Sequence, residues 1–362
     1  MERSEDFRHK TGKIREALEA KGYGCVEIRS QDNFSCITGG RGFIGLASTR
    51  ACASLFITRD QVFLVAENIE ADRLMEEQLY GNEEVQVLSY PWYAYREREA
   101  IVERIASGCR IASEEDLAPE LFRLRTVLSP HDIGNYRKLC RESAEIVESI
   151  CKNLRMGVSE YALAGRISEA FWSANIEPIT LLVAFDRRAL RYRHPVMTEN
   201  RLENYALVSV CGRRKGLVAS LTRNVLLRMD REMVLKHQAC GMVHTAFIHG
   251  LETGRTLEDV FLEGLHQYDV QGWPLEHKEH HQGGLTGYAP RALRAKRGCG
   301  HRISANESYA FNPTIQGAKC EETVLLTEAG VEVMTHTGNY TYVDCDVAGK
   351  RQAAPTVLVL GQ

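Results

Sequence analysis

Residues 206–227 read ALVSVCGRRKGLVASLTRNVLL and contain the clearest hairpin pattern in the chain. Two apolar stretches, 206–214 and 217–227, flank the pair Lys215–Gly216. Stretches rich in Val and Leu are typical of strands, and a short glycine-containing pair is typical of the turn between two of them. This part of the chain therefore predicts two antiparallel strands joined by a tight turn.

Helical patterns lie on both sides of this hairpin. Ser129 can cap a helix, Pro130 suits its first position, and Asp132 lies three residues after the cap. Apolar residues then recur at steps of three and four, which marks one face of a helix. This second part of the chain is predicted to form helices over 129–157, 159–173, 231–250 and 256–271, and strands over 308–317 and 320–335.

The chain before Ser129 alternates helix and strand patterns and indicates a smaller, separate mixed α/β domain. A boundary just before Ser129 gives two domains, 1–127 and 128–362, and the fold class α+β. In the first domain, helices are predicted over 10–21, 69–79 and 95–107, and strands over 25–30, 53–59, 61–67 and 84–90.

Composition narrows the class of protein. The chain has 362 residues, a net charge of −3 and 44% hydrophobic residues, the balance of an ordinary globular protein. We therefore expect no nucleic-acid partner held by bulk charge, and no run of about eighteen apolar residues predicts a membrane span. The charged N-terminal stretch lacks the apolar core of a secretory signal, so a cytoplasmic protein is expected. Eleven cysteines without a CxxC pair favour neither a zinc ribbon nor a thioredoxin-type site.

Five short motifs follow one another in the second domain. They are RYRHPVMT with His194–Pro195, the hairpin end Thr222–Arg223, HQGGLTGYAP from His281, and Asn312–Pro313 followed by EETV from Glu321. This order resembles the pita-bread family, which includes aminopeptidase P, prolidase, methionine aminopeptidase and creatinase, over about residues 125–345. The resemblance implies a C-terminal pita-bread domain, a creatinase-type N-terminal domain, and a homodimer in which Arg41 or Phe43 of one subunit reaches the other's site.

The same resemblance bears on metal binding. Most members of that family hold two divalent metals with two Asp, one His and two Glu. Two adjacent dications need several anionic oxygens to offset their mutual repulsion. We therefore expect no metal and no other cofactor, because the resemblance puts these ligand positions on Ser209, Ser220, His281, Asn312 and Glu321.

Creatinase supplies the implied chemistry, because it resembles this chain in fold and in lacking the metal carboxylates, and it cleaves a C–N bond with a proton-shuttling His. The resemblance makes His194 the general acid and base. His281 would bind a substrate carboxylate or carbonyl, and Glu321 would orient a cationic group or hold His281. The implied substrate-binding residues are Tyr288, Asn312, Glu322, Ser209, Ser220, Arg223 and Arg291, and either arginine could capture an anionic group.

The leading hypothesis is a metal-independent enzyme that hydrolyses or eliminates at a C–N bond of a small amino-acid-like or amidino substrate. Water, Cys211 and Ser220 remain alternative nucleophiles. One alternative function is an Xaa-Pro peptidase with a single residual metal, for which Glu322 or His280 would supply a missing ligand. The other is a non-catalytic protein that binds a peptide or another protein on the same fold.

Overall fold

The computed structural model describes residues 1–82 and 84–361. Contacts divide the chain into two compact units, Met1–Asp132 and Ile133–Gln362. The α+β class predicted from the sequence is confirmed, because both units contain sheets and helices. Within the described ranges, every helix is too short or too polar to span a bilayer.

The first unit is built on a five-stranded mixed sheet. Its strands are β1 Cys25–Ser30, β2 Arg50–Thr58, β3 Val62–Glu67, β4 Val85–Tyr90 and β5 Ile111–Ala112. They lie in the order β4, β3, β2, β1, β5, with antiparallel pairs in the middle and a parallel pair at each edge. The helices of this unit are α1 Arg3–Lys21, α2 Gln31–Thr38, α3 Ala71–Arg73, α4 Tyr95–Ala106 and α5 Ala118–Thr126. Alternate strand residues such as Leu55 and Ile57 are buried in one apolar core with α1, α2, α3 and α5, whereas Phe56 and Val65 pack against α4 in a second cluster.

The predicted strands of this unit correspond to β1–β4, whereas two of its predicted helices differ from the structure. Helix α1 begins before residue 10, because Glu2 and Glu5 form a capping box in which Glu2 N–H donates to Glu5 Oε2 at 3.0 Å. The helix expected over 69–79 is the short α3 followed by a π-helical turn. That turn ends where Leu79 N–H donates to the Leu74 carbonyl, five residues back.

Two helices of the second part of the chain begin at the predicted residues Ser129 and Ser159. Asp132 N–H donates to Ser129 Oγ at 3.1 Å, and Ser129 N–H donates to Asp132 Oδ2 at 3.3 Å. Ser159 Oγ accepts from Ala162 N–H at 3.1 Å and caps the next helix. The helices of this part are α6 Pro130–Lys152, α7 Glu160–Ser173, α8 Arg187–Arg191, α9 Arg231–His249 and α10 Leu257–Val270.

The predicted hairpin is present in the second unit. Its two strands, β7 and β8 below, place Cys211 opposite Ser220 and Ser209 opposite Thr222. At the turn, Lys215 and Gly216 both have positive φ, 51° and 83°, as a two-residue I′ turn requires. The strands of this unit are β6 Glu177–Phe185, β7 Tyr205–Arg214, β8 Leu217–Leu226, β9 Gly283–Thr286, β10 Leu293–Arg294, β11 Ser308–Phe311, β12 Thr314–Ile315, β13 Ala318–Lys319, β14 Glu322–Thr327, β15 Gly330–Val333, β16 Tyr342–Val347, β17 Lys350–Pro355 and β18 Leu358–Val359.

Two sheets of the second unit meet where the candidate site lies. One sheet has the order β18, β8, β7, β6 and the other β10, β9, β11, β14, β15. An isolated antiparallel bridge joins them, since Thr222 N–H donates to the Glu321 carbonyl at 3.1 Å. The strand predicted over 308–317 is divided at Pro313, which has no N–H to donate to a ladder. This arrangement brings β7 and β8 next to residues 319–322.

Candidate functional site

Glu321 is the centre of a buried polar cluster. Its Oε2 accepts hydrogen bonds from Ser209 Oγ at 3.1 Å and from Thr222 Oγ1 at 2.8 Å. Lys319 Nζ lies 3.0 Å from the same oxygen, and Arg291 Nη2 lies 2.8 Å from Oε1. Burial alone would raise the pKa of Glu321, but the Lys319 and Arg291 charges outweigh it and hold the pKa well below its usual range. Glu321 is therefore an ionised carboxylate with one cation on each oxygen.

Strand geometry explains why these side chains meet. Ser209 and Thr222 are paired across β7 and β8. Residues two apart in an extended chain point to the same side, which places Lys319 with Glu321. Lys319 Nζ also donates to Ser209 Oγ at 2.8 Å. Sequence reasoning missed Lys319, although its spacing of two from Glu321 is the signal that could have found it.

Ser220 and Cys211 lie beside Arg291. The Cys211 sulfur is 3.3 Å from Ser220 Oγ, and Arg291 Nη1 is 3.5 Å from the same oxygen. Burial, followed by the charge of Glu321, raises the pKa of the Cys211 thiol. Because the thiolate is the nucleophilic form of cysteine, this environment favours water over Cys211 as a nucleophile.

A second cluster consists of His194, His280 and His281 and is called the three-histidine cluster below. His194 Nε2 lies 3.0 Å from His280 Nε2, within hydrogen-bonding distance. The ring of His281 lies against both, with its centroid 5.6 Å from that of His194 and 4.4 Å from that of His280. His194 is exposed, His281 is partly exposed and His280 is buried, so His194 is the most accessible member. Sequence reasoning did not pair His194 with His280, since residues 86 positions apart give no local signal.

The three imidazoles are neutral at neutral pH. Burial, with Lys319 adding to its effect, lowers the pKa of His280 to about 2. Burial also lowers the pKa of His281 to about 4, and it lowers the pKa of His194 below its usual value. Gly283 N–H donates to His281 Nδ1 at 3.3 Å, so the proton of neutral His281 is on Nε2. His281 thus presents an N–H donor, whereas His194 and His280 share a proton between facing nitrogens.

Arg223 and Glu322 belong to a different network. Arg223 is fully buried, and its Nη2 lies 2.9 Å from Glu148 Oε1 and 3.2 Å from Glu322 Oε1. Thr335 Oγ1 donates to Glu322 as well. Alternation along both strands places this network on the face opposite to Glu321. We therefore assign Arg223 and Glu322 to the fold, in correction of the substrate contact predicted for them.

Asn312 and Tyr288 are both buried. Asn312 follows β11, and its backbone N–H donates to the Gln282 carbonyl at 3.3 Å. Its side-chain Oδ1 accepts no hydrogen bond from the part of the chain that the structure describes. Tyr288 follows β9 and is 6% exposed. Their contact with a substrate stays a prediction.

The positions that the resemblance gives to metal ligands do not fit two divalent ions. They offer two hydroxyls, one amide, one imidazole and one carboxylate, from Ser209, Ser220, Asn312, His281 and Glu321. That carboxylate already binds two cations, which would repel a pair of dications placed beside it.

Comparison with known proteins agrees with the predicted fold. The structure matches the prolidase from Pyrococcus horikoshii OT3 with a TM-score of 0.75 and 15% identity, over 91% of this chain and 98% of that chain. It matches the X-Pro aminopeptidase from Thermotoga maritima MSB8 with a TM-score of 0.70 and 14% identity, over 89% and 98%. The N-terminal domain of the FACT complex subunit SPT16 from chickpea, Cicer arietinum, gives 0.69 and 11%, over 92% and 96%. At these identities the likeness concerns the fold.

Sequence comparison identifies the second part of the chain. The profile of metallopeptidase family M24 matches residues 134–328, which is more than half of the chain. No curated protein sequence matches this chain. The matched range contains both the Glu321 cluster and the three-histidine cluster.

Proposed function

The chain belongs to metallopeptidase family M24, and from this premise we propose that it hydrolyses a C–N bond of a small substrate without the metal centre of that family. The family is one of hydrolases, and most of its members use bound metals to polarise a carbonyl and to activate water. In this chain, the Glu321 cluster and the three-histidine cluster would have to polarise the carbonyl and activate the water.

One observation carries the proposal: Glu321 has Lys319 on one carboxylate oxygen and Arg291 on the other, at 3.0 and 2.8 Å. Two organic cations thus neutralise the carboxylate, and a metal ion would have to displace them from a buried site. Glu321 then positions Lys319 and Arg291. This role replaces the one expected from the sequence, in which Glu321 orients a cationic group of the substrate. Arg291 is the more exposed of the two and is the side chain that would meet an anionic group.

The His194–His280 pair would perform the proton transfers. Neutral His194 accepts a proton from water as the water oxygen bonds to the substrate carbon. The same proton then passes from His194 to the departing nitrogen as the C–N bond breaks, which returns His194 to its neutral form. Buried His280, 3.0 Å away, holds the orientation of the ring. The Nε2–H of His281 would donate to the oxygen on which negative charge develops.

The experiment measures turnover by protein stripped of metal with EDTA. The substrates are creatine, other amidino and N-acyl amino acids, and dipeptides that end in proline. We expect turnover of a non-peptide substrate without added metal. His194→Ala and His281→Ala should each lower that turnover by at least about a hundredfold, while His266→Ala, on the exposed face of α10, should leave it unchanged.

The same experiment separates the alternatives. Turnover of proline dipeptides that appears only after Mn²⁺ or Co²⁺ is added would replace this proposal with the single-metal peptidase. No turnover of any substrate under either condition would favour a binding protein. The cytoplasmic location and the homodimer expected from the sequence stay predictions.

A further inference from the structure

The three-histidine cluster has the composition of a metal site that differs from the dinuclear centre of the family. Each histidine offers one ring nitrogen, and the three nitrogens lie within 4.8 Å of one another. Among residues 1–82 and 84–361, this is the one group of three or more His, Cys, Asp or Glu side chains arranged so closely. Two of its members, His194 and His280, are outside the ligand set that the resemblance implies.

The geometry of the cluster suits Zn²⁺. Imidazole nitrogen is a favoured ligand of zinc, and three histidines form a sufficient protein ligand set. Two nitrogens bound to one tetrahedral Zn²⁺ are about 3.3 Å apart, given Zn–N distances of about 2.0–2.1 Å. His194 Nε2 and His280 Nε2 are already 3.0 Å apart, so these two need little movement. The His281 nitrogen, within 4.8 Å of them, has to move closer, and His281 Nε2 becomes a ligand once its proton passes to Nδ1 and the hydrogen bond from Gly283 N–H is given up. His194 is exposed, which leaves a path for the ion and a fourth position for water.

His280 is not fixed in one tautomer by the hydrogen bonds of its ring nitrogens. Its Nδ1 is buried and has no hydrogen-bond partner among the described residues. Its Nε2 lies within hydrogen-bonding distance of His194 Nε2, at 3.0 Å. The Nε2 lone pair of His280 is therefore available to a metal once the proton moves to Nδ1.

We propose that a single Zn²⁺ ion binds the three-histidine cluster and inhibits the enzyme. The inhibition rests on the proposed function, because a His194 ring with Zn²⁺ on Nε2 and a proton on Nδ1 has no lone pair left to accept a proton from water. Glu321 cannot take over as the base for a zinc-bound water, since Lys319 and Arg291 hold both of its oxygens. The same two cations oppose a dication nearby, so the bound zinc is exchangeable and EDTA removes it.

The experiment titrates the full-length, EDTA-stripped protein with Co²⁺, whose tetrahedral complexes absorb visible light, and then displaces it with Zn²⁺. We expect one Co²⁺ per chain. His194→Gln and His280→Gln should each weaken binding by more than about tenfold. The matched control His266→Gln should bind as the wild type does. Zinc should abolish turnover in proportion to the occupied fraction, and EDTA should restore it.

The outcomes separate the inference from the proposed function. Absence of the Co²⁺ spectrum, or its persistence in His280→Gln, overturns the zinc site and leaves the metal-independent enzyme standing. Binding accompanied by a rise in turnover overturns both the inhibition and the metal-independent mechanism. Binding by a protein that turns over none of the substrates refutes the inhibition, while the zinc site itself is upheld.

Discussion

Glu321 and Glu322 are neighbours in the sequence, yet they lie in networks with opposite charge ratios. Glu321 is one carboxylate with two cations, Lys319 and Arg291. Glu322 shares one cation, Arg223, with a second carboxylate, Glu148. Arg291 of the first network is 14% exposed, whereas Arg223 and both of its partners are almost completely buried.

The difference shows what each network does. A buried cation between two carboxylates holds helix α6 to β8 and β14, because Glu148 comes from that helix. Burial raises the pKa of Glu322, since one guanidinium is divided between two carboxylates. A carboxylate between two cations leaves an excess of positive charge, which suits a site that handles anions. The motif EE thus places one glutamate, Glu322, in a network that holds the fold together and the other, Glu321, in the cluster to which we assign the proposed chemistry.

The largest expected effect is on stability and comes from Arg223→Met. This change leaves Glu148 and Glu322 buried together without a counter-ion, so the free energy of unfolding should fall by about 3–5 kcal/mol. Urea denaturation measures the loss. The control is Arg137→Met, which breaks an exposed pair with Glu332 and should cost less than about 1 kcal/mol. Equal losses in the two variants would contradict the structural role of Arg223.

The second effect compares the two glutamates directly. Glu321→Gln leaves two cations without a carboxylate and should cost about 2–3 kcal/mol. Glu322→Gln leaves Arg223 with Glu148 in a one-to-one pair and should cost less than about 1 kcal/mol. The same urea experiment measures both variants, and a reversed order would show that the charge ratios are assigned to the wrong residues.

The third effect is the order in which the two glutamates take up protons. The pKa of Glu322 is raised above 4.5, so the cost of its buried charge is relieved as the pH falls through that raised value. The pKa of Glu321 is depressed, so its contribution to stability is present above pH 4.5 and is lost as the pH falls below. Carboxyl ¹³C NMR, assigned with the two Gln variants, should show Glu322 protonated first. Simultaneous titration would contradict the different environments.

The smallest effect on stability is expected for Lys319→Met. Removing one of two cations leaves Glu321 and Arg291 as a one-to-one pair, so the free energy of unfolding should change by less than about 1 kcal/mol. Turnover of the substrate found for the wild-type protein should nevertheless fall. A loss of stability as large as that of Arg223→Met would place Lys319 with the structural network instead.

Much of the fold could be predicted from local signals. The hairpin at Lys215–Gly216, the capping box at Ser129 and the N-cap at Ser159 act within a few residues, so the sequence carries them directly. The M24 fold followed from motif order and is confirmed by the matched profile.

The site was harder to predict, because its contacts join distant parts of the chain. His280 meets His194 across 86 positions, and Lys319 meets Ser209 across 110. The motif TR at residues 222–223 and the motif EE at 321–322 led to substrate contacts for both Arg223 and Glu322, although only Thr222 and Glu321 belong to the Glu321 cluster. Only the strand register and the burial of Arg223 settle which member of each pair faces the site.

We propose that Lys319 and Arg291 pair with Glu321 where other members of the family bind metal ions. The binding of Mn²⁺ tests this proposal most directly. Manganese prefers carboxylate oxygens to imidazole, so it probes the Glu321 cluster and not the three-histidine cluster. After equilibrium dialysis of the EDTA-stripped protein, we expect less than about a tenth of an ion per chain above the buffer level, too little for a metal site. One or two Mn²⁺ ions per chain, lost in Glu321→Gln, would contradict the account.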